Sequence, residues 1–214
     1  MSKPAVVIPA ALAALLLAVW ASEAGAETRT YKLSGFSRIN ASAGVDVDLK
    51  QGPFSVVADE PNGKFDQLIL EVRGDTLHIS RKSKSGAWFS RGPDFHVAVT
   101  APTYDGVNAS SGSNVEGSNL SLQDLKVDVS SGADVDLGGS CTDLRVDVSS
   151  GADFDGERLR CETASVDASS GADADAYATR SATGDASSGA DITFHGKPPQ
   201  FDKDTSSGGS VESL

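Results

Sequence analysis

The tripeptide Ser-Ser-Gly recurs through the second half of this 214-residue chain at a nearly constant interval. Consecutive copies begin 18 to 20 residues apart, and four of them continue as Ser-Ser-Gly-Ala-Asp. A short, fixed period is the sequence signature of a repeat fold in which each unit stacks only on its neighbours. The copies begin at Ser110, Ser130, Ser149, Ser169, Ser187 and Ser206, and a related segment runs from Asn40 to Asp48.

Apolar and polar residues alternate on both sides of each Ser-Ser-Gly, as they do in β-strands with one buried face. Helical repeats need apolar residues three and four positions apart and longer units, and this chain shows neither. When the copies are aligned, the apolar positions form inward columns that we expect to build the core: Val127, Val146 and Val166; Val129, Val148, Ala168 and Ala186; Ala133, Ala152, Ala172 and Ala190; Val135, Phe154, Ala174, Ile192 and Val211.

These columns predict an all-β fold, a parallel β-solenoid with coils of 18–20 residues. Each coil would pair in parallel with the next one, about 4.8 Å away. Only 6% of the residues are aromatic, which suits thin, regularly stacked layers better than a thick globular centre. We expect the Gly of each copy to lie at a corner where the backbone needs a positive φ.

The first half of the chain has a different character, because residues 27–107 carry 10 basic and 10 acidic side chains. Strands are predicted at 54–58, 68–73, 76–80 and 95–100, with Gly74-Asp75 as a hairpin turn. The Ser-, Gly- and Arg-rich stretch 82–92 is predicted to be a surface loop. We interpret residues 27–107 as a first coil plus inserted strands that pack onto the stacked coils of residues 108–214, all within one domain spanning 27–214.

The first 26 residues are typical of a cleaved signal peptide. Lys3 precedes an apolar run from Ala5 to Trp20, and Ala24-Gly25-Ala26 forms an A-x-A cleavage site. A membrane anchor is the alternative, but the run is shorter than the roughly 20 residues that cross a bilayer and contains Pro9. The mature chain, which shows no later membrane span, is therefore expected in the periplasm or outside the cell.

Four short segments in order resemble the putative auto-transporter adhesin, head GIN domain family of exported bacterial proteins. They are residues 36–40, residues 44–52, the strand-like Leu68-Ile69-Leu70-Glu71-Val72 and the segment 74–80. The resemblance extends over most of the mature chain. It implies a right-handed parallel β-solenoid in a Gram-negative cell envelope, and it implies no catalytic residues because the family has no established activity.

Acidic residues dominate the repeats, since residues 108–214 carry 7 basic and 19 acidic side chains and so hold the whole net charge of −12. This balance disfavours nucleic acid and anionic lipid as partners, because phosphate contacts need clusters of Lys and Arg. Stacked carboxylates would repel one another, and Ca²⁺ would relieve the repulsion. The alternative is that these side chains bond nearby backbone N–H groups at the turns. The candidate Ca²⁺ ligands are Asp134, Asp136, Asp153, Asp155, Asp173 and Asp175, and no cofactor is required by the sequence.

The two cysteines occupy equivalent positions in consecutive coils. Cys141 and Cys161 each lie eight residues before the Ser-Ser of their own copy. Stacking would place their Cα atoms about 4.8 Å apart, within the range that a disulfide spans. Export to an oxidising compartment favours the bond, whereas buried free thiols are the alternative, since Leu122 occupies the same column one coil earlier.

Catalysis is disfavoured, because every coil carries the same acidic pair and an active site is expected to be a local exception. His78, His96 and His195 show no metal-binding spacing and no nucleophile beside them. The sequence favours a non-catalytic envelope module that binds or adheres to a surface glycan or protein. A Ca²⁺-dependent scaffold is the first alternative, and a polysaccharide-cleaving β-solenoid enzyme is the second.

The last copy begins at Ser206, and the core columns weaken around it. Gly184 and Lys203 occupy a column that holds valine in earlier copies, and Pro198-Pro199 interrupts the coil. We expect the core to fray towards this end. An uncovered last coil exposes unpaired strand groups, so end-to-end self-association is a further expectation.

Overall fold

The computed structural model describes residues 27–82 and 94–214. The predicted signal peptide, residues 1–26, and nearly all of the predicted loop 82–92 lie outside these residues. A 3-10 helix at Phe65–Gln67 is accompanied by sixteen strands. The strands are β1 (Glu27–Tyr31), β2 (Arg38–Ala41), β3 (Asp46–Gln51), β4 (Ser55–Glu60), β5 (Leu68–Arg73), β6 (Thr76–Arg81), β7 (His96–Ala101), β8 (Gly106–Ser110), β9 (Asn114–Ser121), β10 (Asp124–Ser130), β11 (Asp134–Ser149), β12 (Asp153–Ser169), β13 (Asp173–Ser187), β14 (Asp191–His195), β15 (Gln200–Thr205) and β16 (Ser210–Ser213).

The strands after residue 106 stack in parallel, and equivalent residues of consecutive repeats pair directly. Val127 pairs with Val146, which pairs with Val166. The outward residues follow the same register, since Asp128 pairs with Asp147 and Asp147 pairs with Asp167. The predicted parallel β-solenoid is therefore confirmed.

The inward columns form one continuous hydrophobic core. All of the predicted core residues are buried, with exposed fractions between 0% and 3%. Each coil contributes only a few of them, so the core is a narrow column of Val, Ala, Leu and Phe side chains along the axis. Because the apolar side chains of one coil pack against those of the next, they are buried only when the two coils stack in register.

Each corner is a tight turn in which two consecutive residues, the second Ser and the Gly, have left-handed backbone conformations. Ser150 has φ 61° and Gly151 has φ 62°, and the other Ser-Ser-Gly copies repeat this pattern. Two left-handed central residues are typical of a type I′ turn. Corners also bond to one another, because the Gly151 N–H donates to the Ser170 carbonyl of the next coil at 3.2 Å. The sequence predicted the positive φ for Gly only and missed it for Ser.

The inserted strands extend the stack at its N-terminal end. The predicted hairpin joins β5 and β6, and the other strands of residues 54–100 lie close to their predicted positions. β6 pairs in parallel with β2 and β7 with β3, so β6 and β7 form a coil outside the first one. β8 and β9 stack on the opposite side of β2 and β3. Antiparallel β4 and β1 continue the sheet beyond β7.

Tyr104 fixes the segment that carries the chain from β7 past β3 to β8. Its side chain is 1% exposed. The hydroxyl lies 2.9 Å from the Lys50 carbonyl and 3.0 Å from the Val99 carbonyl, so it joins β3 to the end of β7. Desolvation by burial raises the pKa of this phenol, and the hydroxyl therefore remains a hydrogen-bond donor.

The expected fraying of the core at the C-terminal end is wrong in part. Gly184 leaves space for two buried side chains, because a Cβ there would lie 2.9 Å from Phe194 and 2.8 Å from Val211. Phe194 is completely buried, and its ring lies beside Gly184, where the same column in earlier coils holds valine side chains. One coil further along the same column the expectation holds, since Lys203 pairs with Gly184 but is exposed. The Lys203 ammonium group donates to the Val211 carbonyl.

Cys141 and Cys161 pair in register between β11 and β12. Their Cα atoms are 4.4 Å apart, and the structure joins their sulfur atoms. Both side chains are buried, at 6% and 1% exposure, which places the bond inside the stack rather than on its surface.

We predict that this bond forms in the purified protein. Alkylation without reduction followed by mass spectrometry should label neither cysteine, whereas two labelled thiols would contradict the prediction. Because a crosslink that closes a loop of 20 residues restricts the unfolded chain, the double variant Cys141→Ala/Cys161→Ala should lose about 3 kcal/mol of unfolding free energy. Wild-type protein unfolded with reductant provides the matched comparison.

Candidate functional surfaces

The six predicted Ca²⁺ ligands form two adjacent rows on the outer side of β11, β12 and β13. We call these rows the double acidic row. The structure aligns Asp134 with Asp153 and Asp173 in one row, and Asp136 with Asp155 and Asp175 in the other. All six point outwards, exposed or half-buried, because the inward positions between them belong to the core.

Partial burial, and after it the neighbouring carboxylates, raise the pKa of two carboxyl groups of the double acidic row. Partial desolvation raises the pKa of Asp153, and the neighbouring Asp134 raises it further. Asp173 has a raised pKa for the same reasons, with Asp153 and Asp191 on either side. Stacking identical residues therefore costs electrostatic free energy along this surface.

Basic side chains offset only part of this charge. The Arg158 guanidinium bonds to both carboxylate oxygens of Asp136. His195 Nε2 lies 3.0 Å from Asp175 Oδ1, and its Nδ1 lies 3.9 Å from Glu157. His96 makes a similar contact with Asp48, at 3.0 Å. The two histidines thus lie beside carboxylates of neighbouring strands, a pairing that the sequence analysis did not predict.

The double acidic row does not form a compact coordination shell. Within residues 27–82 and 94–214, no group of three or more His, Cys, Asp or Glu side chains is arranged to hold a metal ion. Asp155 does bond a nearby backbone N–H group, since its Oδ1 accepts a hydrogen bond from Glu157 at 3.1 Å, but both residues lie within β12 and not at a corner turn. Ca²⁺ binding by these residues stays a prediction.

A second polar surface lies on the outer side of β10 to β13, before the corners. It is a shallow groove of about 410 Å³, which we call the aspartate–serine groove. Lys126 bridges its first two carboxylates, at 2.9 Å from Asp128 and 3.3 Å from Asp147. Burial and the flanking Asp147 and Asp185 raise the pKa of Asp167. The polar lining consists of Asp128, Asp147, Asp167 and Asp185 with Ser130, Ser149, Ser169 and Ser187.

A third polar surface interrupts the repeat near β3, β9 and β11. It is a depression of about 520 Å³ that includes Lys50, Ser118, Gly138 and Arg158. The strand register shifts between Leu137 and Gly139 where β11 passes β9. This site was not predicted from the sequence, although the Gly138-Gly139 pair, which has no counterpart at the same position of the other copies, was a visible signal.

Comparison with known proteins identifies the family. The profile of the family described as "Putative auto-transporter adhesin, head GIN domain" matches residues 35–198, and the chain belongs to this family. A comparison with curated protein sequences gives no match. Within the described part of the chain, no helix has the length and apolar character needed to cross a bilayer.

Solved structures share the fold at low sequence identity. A putative adhesin from Bacteroides fragilis NCTC 9343 has a TM-score of 0.66 and 20% identity, over 89% of this chain and 97% of that chain. A putative lipid binding protein from Parabacteroides distasonis ATCC 8503 has a TM-score of 0.51 and 17% identity, over 90% and 98% of the two chains. A putative adhesin from Parabacteroides merdae ATCC 43184 has a TM-score of 0.50 and 12% identity, over 88% and 96%.

The raised pKa values predict how stability responds to pH. A carboxyl group with a higher pKa in the folded state binds its proton more tightly when folded, so its stabilising contribution is present below the unfolded pKa of 3.8 and is lost as pH rises through the folded pKa. Asp153→Asn should therefore raise the melting temperature at pH 7. This gain should shrink as pH falls towards 3.8.

The melting temperature of Asp153→Asn must be compared with that of a control variant, because carboxyl groups with a lowered pKa change stability with pH in the opposite direction. Burial raises the pKa of Glu60, but hydrogen bonds from Lys64 and Asn62 outweigh this effect and the pKa is lowered. Asp66→Asn removes an exposed carboxylate in the 3-10 helix, outside both surfaces and outside the stacked columns, and serves as the control. Equal melting shifts for the two variants at pH 7 would show that repulsion within the row has no effect on stability.

Proposed function

We propose that this protein is exported to the bacterial cell envelope and acts there as a non-catalytic binding or adhesion module for a surface glycan. The observation that carries this proposal is the aspartate–serine groove, in which the same pair of polar side chains recurs on consecutive coils. Repeat proteins commonly use such extended surfaces for binding. A glycan also repeats its hydroxyl groups along a chain, so a periodic surface of acceptors and hydroxyls suits it.

The family description and the adhesin names of two structural neighbours support a binding role for this chain. One neighbour is instead named as lipid binding. The described residues favour a polar ligand, because the groove and the larger depression are both lined by charged and hydroxyl side chains. The interior is filled by the core columns.

The proposal predicts binding on a glycan array. The purified protein should bind at least one glycan, and Ser149→Gln/Ser169→Gln should weaken that binding about tenfold because the longer side chains fill the aspartate–serine groove. Ser213→Gln is the matched control, since Ser213 is exposed on β16 and lines neither the groove nor the depression. No binding to any glycan would contradict the proposal, and release of reducing ends from a bound glycan would contradict its non-catalytic part.

A Ca²⁺-dependent scaffold is the second candidate, and the double acidic row is the observation that favours it. A cation bound only by the folded state stabilises that state by mass action. Millimolar Ca²⁺ should then raise the melting temperature more than sodium chloride of equal ionic strength. Equal shifts would leave only screening of the repulsion between carboxylates and would exclude a specific site.

A further inference from the structure

The depression near β3, β9 and β11 is where the solenoid departs from its own repeat. Leu49, Gly117 and Leu137 still pair in register. After them β9 and β11 lose register, and Asn119 adopts a left-handed backbone with φ 56°. The resulting depression has a volume of about 520 Å³, within the range of small-molecule sites. We call it the trough.

The shape of the trough follows from side-chain size. The residues that follow Leu49, Gly117 and Leu137 are Lys50, Ser118 and Gly138. Gly138 has no side chain, and a Cβ there would lie 3.4 Å from the Cβ of Arg158. Two small residues, Ser118 and Gly138, therefore lie between the long side chains of Lys50 and Arg158, and they form the floor.

The segment that follows Ser118 forms one wall of the trough, and the side chain of Gln51 in β3 holds this segment in place. Gln51 Oε1 accepts a hydrogen bond from the Ser121 N–H at 2.6 Å, and Gln51 Nε2 donates to the Ser121 carbonyl at 2.9 Å. These two bonds tie β3 to the end of β9 across the irregular stretch. The trough is consequently preorganised, which lowers the entropic cost of binding a ligand.

Charges of both signs line the trough. Asp48, Glu116 and Asp136 stack in register along one side. Each of them has a protein partner: His96 contacts Asp48, Asn114 donates to Glu116 at 3.1 Å, and Arg158 bonds to Asp136. Lys50 is exposed, and none of the ion pairs within the described residues includes it.

This combination restricts the class of ligand. An anionic ligand would meet three carboxylates, and a cationic ligand would meet Lys50 and Arg158. Hydroxyl groups both donate and accept, so they can bond to carboxylates, to the ammonium group and to the Asn119 amide at the same time. We propose that the trough is a binding subsite for a short, neutral saccharide, with Lys50 and Glu116 as its principal polar contacts and Gly138 as the floor beneath the sugar.

The inference rests on the proposed glycan-binding function, which it deepens by naming a site and a ligand class. Isothermal titration of the purified protein tests it with cellobiose, maltose and lactose as neutral probes, digalacturonate as an anionic probe and spermidine as a cationic probe. At least one neutral disaccharide should bind. Ser118→Gln fills the exposed floor and should weaken that binding about tenfold or more.

Two further variants separate a blocked site from a damaged fold. Lys50→Gln removes the cation without adding bulk and should also weaken binding, whereas Ser213→Gln adds the same bulk on β16, outside the trough and the aspartate–serine groove, and should not. Tighter binding of digalacturonate or spermidine than of every neutral probe would overturn the ligand class. If the protein binds glycans but Ser118→Gln and Lys50→Gln bind like wild type, the trough is excluded while the proposed function stands. If the wild-type protein binds no glycan at all, the proposed function itself fails.

Discussion

The in-register stacking of equivalent residues is the constraint on which the whole structure depends. Each coil is too thin to bury its own apolar side chains, so Val146 is buried only because Val127 and Val166 lie directly above and below it. A shift by one residue would exchange the inward and outward faces of a strand. The corners enforce the register, because each Ser-Gly pair turns the chain at the same point and several corners bond to the corner of the next coil.

The same stacking determines the surface chemistry. A residue that points outwards in one coil meets its own equivalent in the next, so a repeated Asp becomes a row of like charges. Burial raises the pKa of Asp153, Asp167 and Asp173, and the stacked carboxylates raise it further. The chain nevertheless keeps these rows, and few of the repeats carry a compensating cation. At neutral pH these rows therefore lower the stability of the folded chain rather than add to it.

Much of the fold could be predicted from the sequence because periodicity reports burial directly. The inward columns, the corner glycines and the hairpin at Gly74-Asp75 follow from patterns of neighbouring residues. The position of the coil formed by β6 and β7 could not be predicted, because its register with β2 and β3 depends on contacts between segments that are distant in the sequence. The packing of Phe194 against Gly184 could not be predicted either. The large side chain fills the space left by the small residue only because the fold brings their two strands together. The trough could not be predicted as a site because its floor carries no charged group, and the Gly138-Gly139 pair marks only a break in the repeat.

Disulfide mapping of engineered cysteine pairs tests the stacking register most directly. Asp167 and Asp185 pair in register, so cysteines at these positions should have Cα atoms about 4.8 Å apart and should form a disulfide. Replacing Asp167 and Thr183 gives a pair displaced by two residues along the strand, which adds about 6.6 Å along its axis and puts the pair out of reach. Mass spectrometry should find the new bond in the first variant and not in the second. A bond in the displaced pair, without one in the in-register pair, would contradict the register on which the core, the acidic rows and the trough all depend.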